Sequence, residues 1–148
     1  MVYEADLTNA TGESSVGTPS QVRIDIIDDE ALLEFVVTNH VALESVGTQN
    51  GILNIDVSRQ RNFDTEVRIS YSFSTNESAQ PGIDFDPTAG TGLLTFGINV
   101  TNQTIQIPFF NDLVVETNKT FTVFLNSPQG EAAIGPRGIA RVTIADDD

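Results

Sequence analysis

Leu53, Ile55 and Val57 alternate with Asn54 and Asp56, and Val67, Ile69, Tyr71 and Phe73 alternate with Arg68, Ser70 and Ser72. The same period of two recurs at Ile105, Ile107 and Phe109, at Phe121, Val123 and Leu125, and at Ala140, Val142 and Ile144. A period of two turns every second side chain toward one face, so each segment predicts a half-buried strand. Residues 31–38 and 93–96 predict two more. Turn-forming clusters separate them: Gln49-Asn50-Gly51, Gln80-Pro81-Gly82, Ala89-Gly90-Thr91-Gly92 and Gly135-Pro136-Arg137-Gly138. No stretch keeps a 3.6-residue period over three turns. About seven short strands at intervals of roughly ten residues predict an all-β fold, an antiparallel β-sandwich.

The chain also repeats itself. Residues 22–29 (Val-Arg-Ile-Asp-Ile-Ile-Asp-Asp) match residues 140–147 (Ala-Arg-Val-Thr-Ile-Ala-Asp-Asp) at an offset of 118. Leu7 and Leu125, Gly12 and Gly130, Glu13 and Glu131, and Gly17 and Gly135 keep the same offset. Self-similarity at a fixed period signals repeated structural units. Residues 1–30 therefore read as the C-terminal hairpin of a preceding repeat, and residues 31–148 as one complete domain. A lone hairpin is marginal in water. It is expected to pack on the complete domain or to pair with a second molecule by strand addition or swapping, giving a homo-oligomer.

Composition removes several functions. A net charge of −14 excludes nucleic acid and anionic lipid surfaces, which need basic patches. With no cysteine there are no disulfides, thiolate metal sites or cysteine nucleophiles. The single histidine, His40, sits in Thr38-Asn39-His40-Val41 without a catalytic neighbour, and reads as a loop residue. Paired carboxylates serve glycosidases, but no tryptophan and only two tyrosines are available to line a sugar cleft. The chain is not expected to be an enzyme. There is no apolar run for membrane insertion, and Met1-Val2-Tyr3-Glu4 lacks a signal-peptide core, so Met1 reads as a start placed inside a longer protein.

The acids fall at strand ends. Glu44 lies in the loop between the first two strands, and Asp84 follows the Pro81-Gly82 turn. Asp112 and Glu116 lie just past the Ile105 strand, and Asp146, Asp147 and Asp148 follow the Ile144 strand. Strands that run the same way deliver their following loops to the same end, so these acids can converge on one rim. Six to eight oxygens that mix carboxylates with backbone carbonyls suit calcium, and magnesium fits so many carboxylates poorly. Carboxylates ~4 Å apart repel by about 1–4 kcal/mol per pair at surface-like dielectric. Seven such charges exceed what one Ca²⁺ balances, which predicts two or more ions. The alternative is that the acids only solubilise loop ends.

Together these residues resemble the Calx-β domain family. The matching elements, in order, are Glu44; Gly82-Ile83-Asp84-Phe85; Gly92-Leu93-Leu94-Thr95-Phe96; Asn111-Asp112 with Glu116; Phe121; and Ile144-Ala145-Asp146-Asp147-Asp148. The resemblance spans residues 31–148 and implies a seven-stranded immunoglobulin-like sandwich whose distal loops bind calcium. Carried onto this chain, it implies Glu44, Asp84, Asp112, Glu116, Asp146, Asp147 and Asp148 as ligands, with the Val114 carbonyl beside them. Asn111 stands where strong calcium binders of the family have Asp; it keeps an oxygen but loses a charge. The acidic pair that follows Glu116 in the family is replaced by Asn118-Lys119, and Lys119 lowers the local negative potential.

The family occurs in exchangers that sense cytosolic calcium and in extracellular adhesion or matrix proteins that carry arrays of repeats. Five Asn-x-Ser/Thr sequons, at Asn9, Asn76, Asn99, Asn102 and Asn118, fit surface glycan acceptors of a secreted protein. The expected function is a calcium-binding structural or adhesion module of a tandem-repeat extracellular protein, with neighbouring repeats as partners. The alternatives are a calcium-sensing regulatory domain of a transporter and a calcium-free spacer.

Overall fold

The computed structural model describes residues 2–8, 11–25, 29–46, 49–89 and 92–148. Every regular element among them is a strand: β1 (Val2–Asp6), β2 (Gln21–Asp25), β3 (Ala31–Phe35), β4 (Asn39–Leu43), β5 (Ser45–Val46), β6 (Gln49–Asn50), β7 (Ile52–Gln60), β8 (Val67–Phe73), β9 (Leu93–Phe96), β10 (Asn102–Pro108), β11 (Lys119–Gln129), β12 (Ala132–Ile134) and β13 (Ile139–Ala145). One sheet has the order β10-β7-β3-β12 and the other β4-β13-β11-β8-β9, while β1-β2 and β5-β6 form separate hairpins. The β-sandwich expected from the alternating pattern, in the immunoglobulin-like form implied by the resemblance, is the fold of the chain.

The alternation explains which side chains face inward. In β8, Val67, Ile69 and Tyr71 are buried while Arg68 and Ser72 are exposed; in β13, Ala140, Val142 and Ile144 take the inner face. At one end of the core the packing is aromatic. Phe85 stacks on Phe121 with centroids 4.1 Å apart, and Phe73 and Phe109 meet these rings edge-on. Phe85, Phe109 and Phe121 are fully buried, and truncating any of them removes about 3–5 kcal/mol. Each stands within a few residues of a candidate acid, so this aromatic floor fixes the loops above it.

Two sequence expectations are corrected. The continuous strand expected over residues 31–38 is broken: Val36 and Val37 are exposed, and the chain crosses from the first sheet to the second between β3 and β4. The Val36 N–H turns to Asp56 O, and Arg141 N–H reaches Thr38 O. The segment from β12 to β13 makes the same crossing, so β3 pairs with β12 and β4 with β13 in parallel, inside an otherwise antiparallel sandwich. His40 lies on β4, half-buried, with Nε2 3.1 Å from Val37 O, and is not a loop residue.

The hairpin β1-β2 copies part of the sandwich. Tyr3 pairs with Ile24 and Ala5 with Val22; adding 118 to each number gives the β11-β13 pairs Phe121 with Val142 and Val123 with Ala140. Gly12 and Gly130 both adopt positive φ, 75° and 79°. The described side chains of residues 4–25 are exposed, Ser20 apart, including Leu7, Val22 and Ile24. Ile26, Ile27, Asp28 and Asn9, which belong to the repeat and sequon expectations, lie outside the described residues, as do Gly90 and Thr91 of one expected turn.

Candidate metal centre

The strand registers bring the ends of β4, β10 and β13 and the starts of β7 and β11 to one pole of the sandwich. A chain of backbone hydrogen bonds then ties the loops together. Glu44 N–H donates to Ala145 O (3.1 Å), Gly51 N–H to Glu44 O (2.8 Å), and Phe109 N–H to Gly51 O (2.8 Å). Phe110 N–H donates to Asp84 O at 3.0 Å, and Asn111 N–H to Asn50 Oδ1 at 3.2 Å. The loops carrying Glu44, Asp84, Asn111, Asp112, Val114 and Glu116 and the segment 146–148 thus share this pole, as the strand-end pattern leads one to expect.

Within the pole, the acids divide by what they touch. Asp84 is buried: its Oδ2 accepts Gln80 N–H at 2.5 Å and its Oδ1 accepts Lys119 Nζ at 2.6 Å. The same ammonium forms an ion pair with Glu116. Burial works against the Lys119 charge, but the hydrogen bonds and fields of Asp84 and Glu116 outweigh it and raise its pKa above the usual lysine range.

No ion pair among the described residues reaches the second group. Asp112 Oδ1 accepts Val114 N–H at 2.8 Å, and Asp147 Oδ2 accepts Ser45 Oγ at 2.6 Å. Asp146 Oδ1 is buried without a hydrogen-bond donor among the described residues. Glu44 is buried, and desolvation, then the field of Asp112, raises its pKa; Lys119 partly offsets this, and Glu116 and Asp146 add to it. The Asp148 carboxyl is raised by desolvation and by the charges of Asp146, Asp147 and Asp112. Among the described residues no group of three acidic or histidine side chains is close enough to hold a metal ion together.

The donor chemistry still decides what each group suits. All the side-chain donors are oxygens, one carboxylate oxygen is buried and unpaired, and two carboxyls are raised partly by like charges. Glu44, Asp112, Asp146, Asp147 and Asp148 therefore offer donors of the kind a hard cation takes, although no three of them stand close enough together here to hold one. On the side of Asp84 and Glu116, a lysine already supplies the positive charge. Ser45, Asn50 and the Gln80 backbone were not singled out from the sequence. Each acts on a residue far along the chain or through its backbone, so no local motif marks it.

An immunoglobulin-like sandwich with acids gathered at one pole is a class that comparison with known proteins narrows. The Calx-beta domain family model matches residues 27–148, and the chain belongs to that family. It is 33% identical over 121 residues to adhesion G-protein coupled receptor V1 of Danio rerio, covering 80% of this chain and 2% of that protein. The crystal structure of the apo-form Calx CBD1 domain superposes with a TM-score of 0.72 at 26% identity, covering 81% of this chain and all of the other. That of the calcium binding domain CBD12 of CALX1.1 gives 0.70 at 27%, over 78% of this chain and 44% of the other. The Calx CBD2 domain, at 18% identity and a TM-score of 0.67 over 79% of this chain and 87% of the other, shares the fold.

Proposed function

We propose that this chain is a calcium-binding structural module of a tandem-repeat extracellular protein, in which Ca²⁺ at the acidic pole stiffens the domain and its junction with the next repeat. The observation that carries this reading is the group of like charges at the pole: Glu44, Asp112, Asp146, Asp147 and Asp148, with Asp146 Oδ1 buried and without a hydrogen-bond partner among the described residues. These residues would hold the ion, with Asn111 and the Val114 carbonyl as neutral oxygen donors. A bound ion would supply positive charge to loops that otherwise repel one another. Segment 146–148 leads out of β13, so ordering this pole also orders the exit toward whatever follows.

Residues 1–30 are the end of a preceding repeat in this reading, and residues 31–148 the complete one; the shared register of β1-β2 and β11-β13 supports it. An extracellular setting is supported by the adhesion-receptor relative and by four sequon asparagines, Asn76, Asn99, Asn102 and Asn118, all solvent-exposed. The similarity to calcium binding domains of CALX favours a second reading, a calcium sensor.

Affinity separates the two. Binding to the folded state alone stabilises by RT ln(1 + [L]/Kd). Thermal unfolding in EGTA and across a calcium titration, with magnesium as control, is expected to show a calcium-specific rise in Tm with a midpoint near about 10⁻⁴–10⁻³ M. A midpoint of about 10⁻⁷–10⁻⁵ M would point to the sensor. Identical melting with and without calcium would leave a spacer.

A further inference from the structure

Lys119 is the only lysine in the chain, and the fold delivers it into the acidic pole. It opens β11, paired in register with Ile144, while its side chain spans two loops, from Asp84 after β8 to Glu116 before β11. The side chain is 21% exposed, against 6% for Asp84 and 29% for Glu116, so this ion pair is shielded from solvent. Both Asp84 oxygens are in use: Oδ2 takes the Gln80 N–H, and Oδ1 takes the ammonium. A divalent ion bound to Asp84 would need the oxygen that Lys119 holds.

We propose that Lys119 is a resident cation of this pole: its ammonium fills the position between Asp84 and Glu116 that a divalent ion would otherwise take, and confines bound calcium to the group formed by Glu44, Asp112, Asp146, Asp147 and Asp148. The first half of this inference stands on the ion pairs alone; the second rests on the calcium reading and sets its ion count. An ammonium is a compact point charge with three donors. It brings two carboxylates together as a metal would, but it is tethered, so this part of the pole closes at any calcium concentration. Lysine at this position trades calcium responsiveness for permanent order.

The test compares the wild type with Lys119→Gln and Lys119→Arg, by melting in EGTA and by calcium calorimetry. In EGTA, K119Q is expected to melt about 3–6 °C lower. K119R, which keeps the charge, should recover much of the loss. In the calorimeter K119Q should bind one more calcium ion than the wild type, and adding Asp84→Asn should abolish that extra ion. An unchanged EGTA melting temperature for K119Q overturns the resident cation. Lower stability with the same non-zero calcium stoichiometry as the wild type overturns the displacement. Lower stability with no calcium bound to either protein sinks the calcium reading and leaves the lysine as the clamp of the pole. If K119Q fails to fold, the single ε-amine of the wild type serves as the probe. It should acylate much more slowly in the native protein than in urea, and equal rates would overturn the inference.

Discussion

At Gly51 the space a side chain would need is filled by backbone. A Cβ built there would lie 2.5 Å from Leu43 O and 3.0 Å from Glu44 O, and carbonyls cannot rotate away as side chains do. The same residue donates to Glu44 O and accepts from Phe109, so it joins the two sheets at the acidic pole. Gly51→Ala should destabilise the protein by about 1–3 kcal/mol in denaturant unfolding, as overpacking does. A midpoint equal to the wild type would show that the junction yields. Charge at this scale gives a second expectation. Glu44 and Asp148 titrate above their usual range, so the metal-free folded state binds protons more readily than the unfolded chain. Their penalty is present at neutral pH and is relieved as pH falls through the raised values. Melting temperature in EGTA should therefore rise as pH falls from neutral toward the carboxylate range, and Glu44→Gln should flatten the rise. Below that window the trend reverses, because Glu77 and Asp86, held low mainly by hydrogen bonds from Thr122 and Thr88, lose their contribution on protonation.

Among the elements, the β1-β2 hairpin has the least to hold it. It repeats the β11-β13 register, but β11 also pairs with β8 and β13 with β4, and Val22 and Ile24 stand 56% and 48% exposed. Exposed apolar positions on a two-stranded sheet favour a second surface. Sedimentation of the full chain should show concentration-dependent self-association, and Val22→Thr with Ile24→Thr should return it to monomer. A wild type that stays monomeric at high concentration would rule out pairing through this hairpin. Most of the other strands were legible because their alternation matches burial residue for residue, as in β8 and β13. The break between β3 and β4 was not. Residues 31–38 read as one strand, and the crossing is imposed by Asp56, Arg137 and Arg141, which are distant in sequence.

Across the whole molecule the site was legible to the same degree and for the same reason. Acids at strand ends can be counted from the sequence, and the sandwich topology brings their loops to one pole. How they are neutralised depends on pairs remote in sequence: Asp84 meets Lys119 across 35 residues, and Ser45 meets Asp147 across 102. Seven acids seeking ions could be read from the sequence, whereas the fold separates a group partly neutralised by Lys119 from an open one. The family resemblance implied Glu116 as a ligand, but the structure makes it first a partner of the lysine three residues on.

The two sheet crossings also decide how the domain bears load. Ala31 lies at the pole opposite Asp148, because β3 begins beside the end of β7 and β13 ends beside Leu43. Tension applied between these points pulls β4 and β13, which are parallel neighbours over five residue pairs, in opposite directions along their length. Their hydrogen bonds are then strained together in shear instead of opening one at a time like a zip. The parallel pairing of β3 with β12 is loaded along its length in the same way, so both crossings set the sandwich to resist stretching along its long axis.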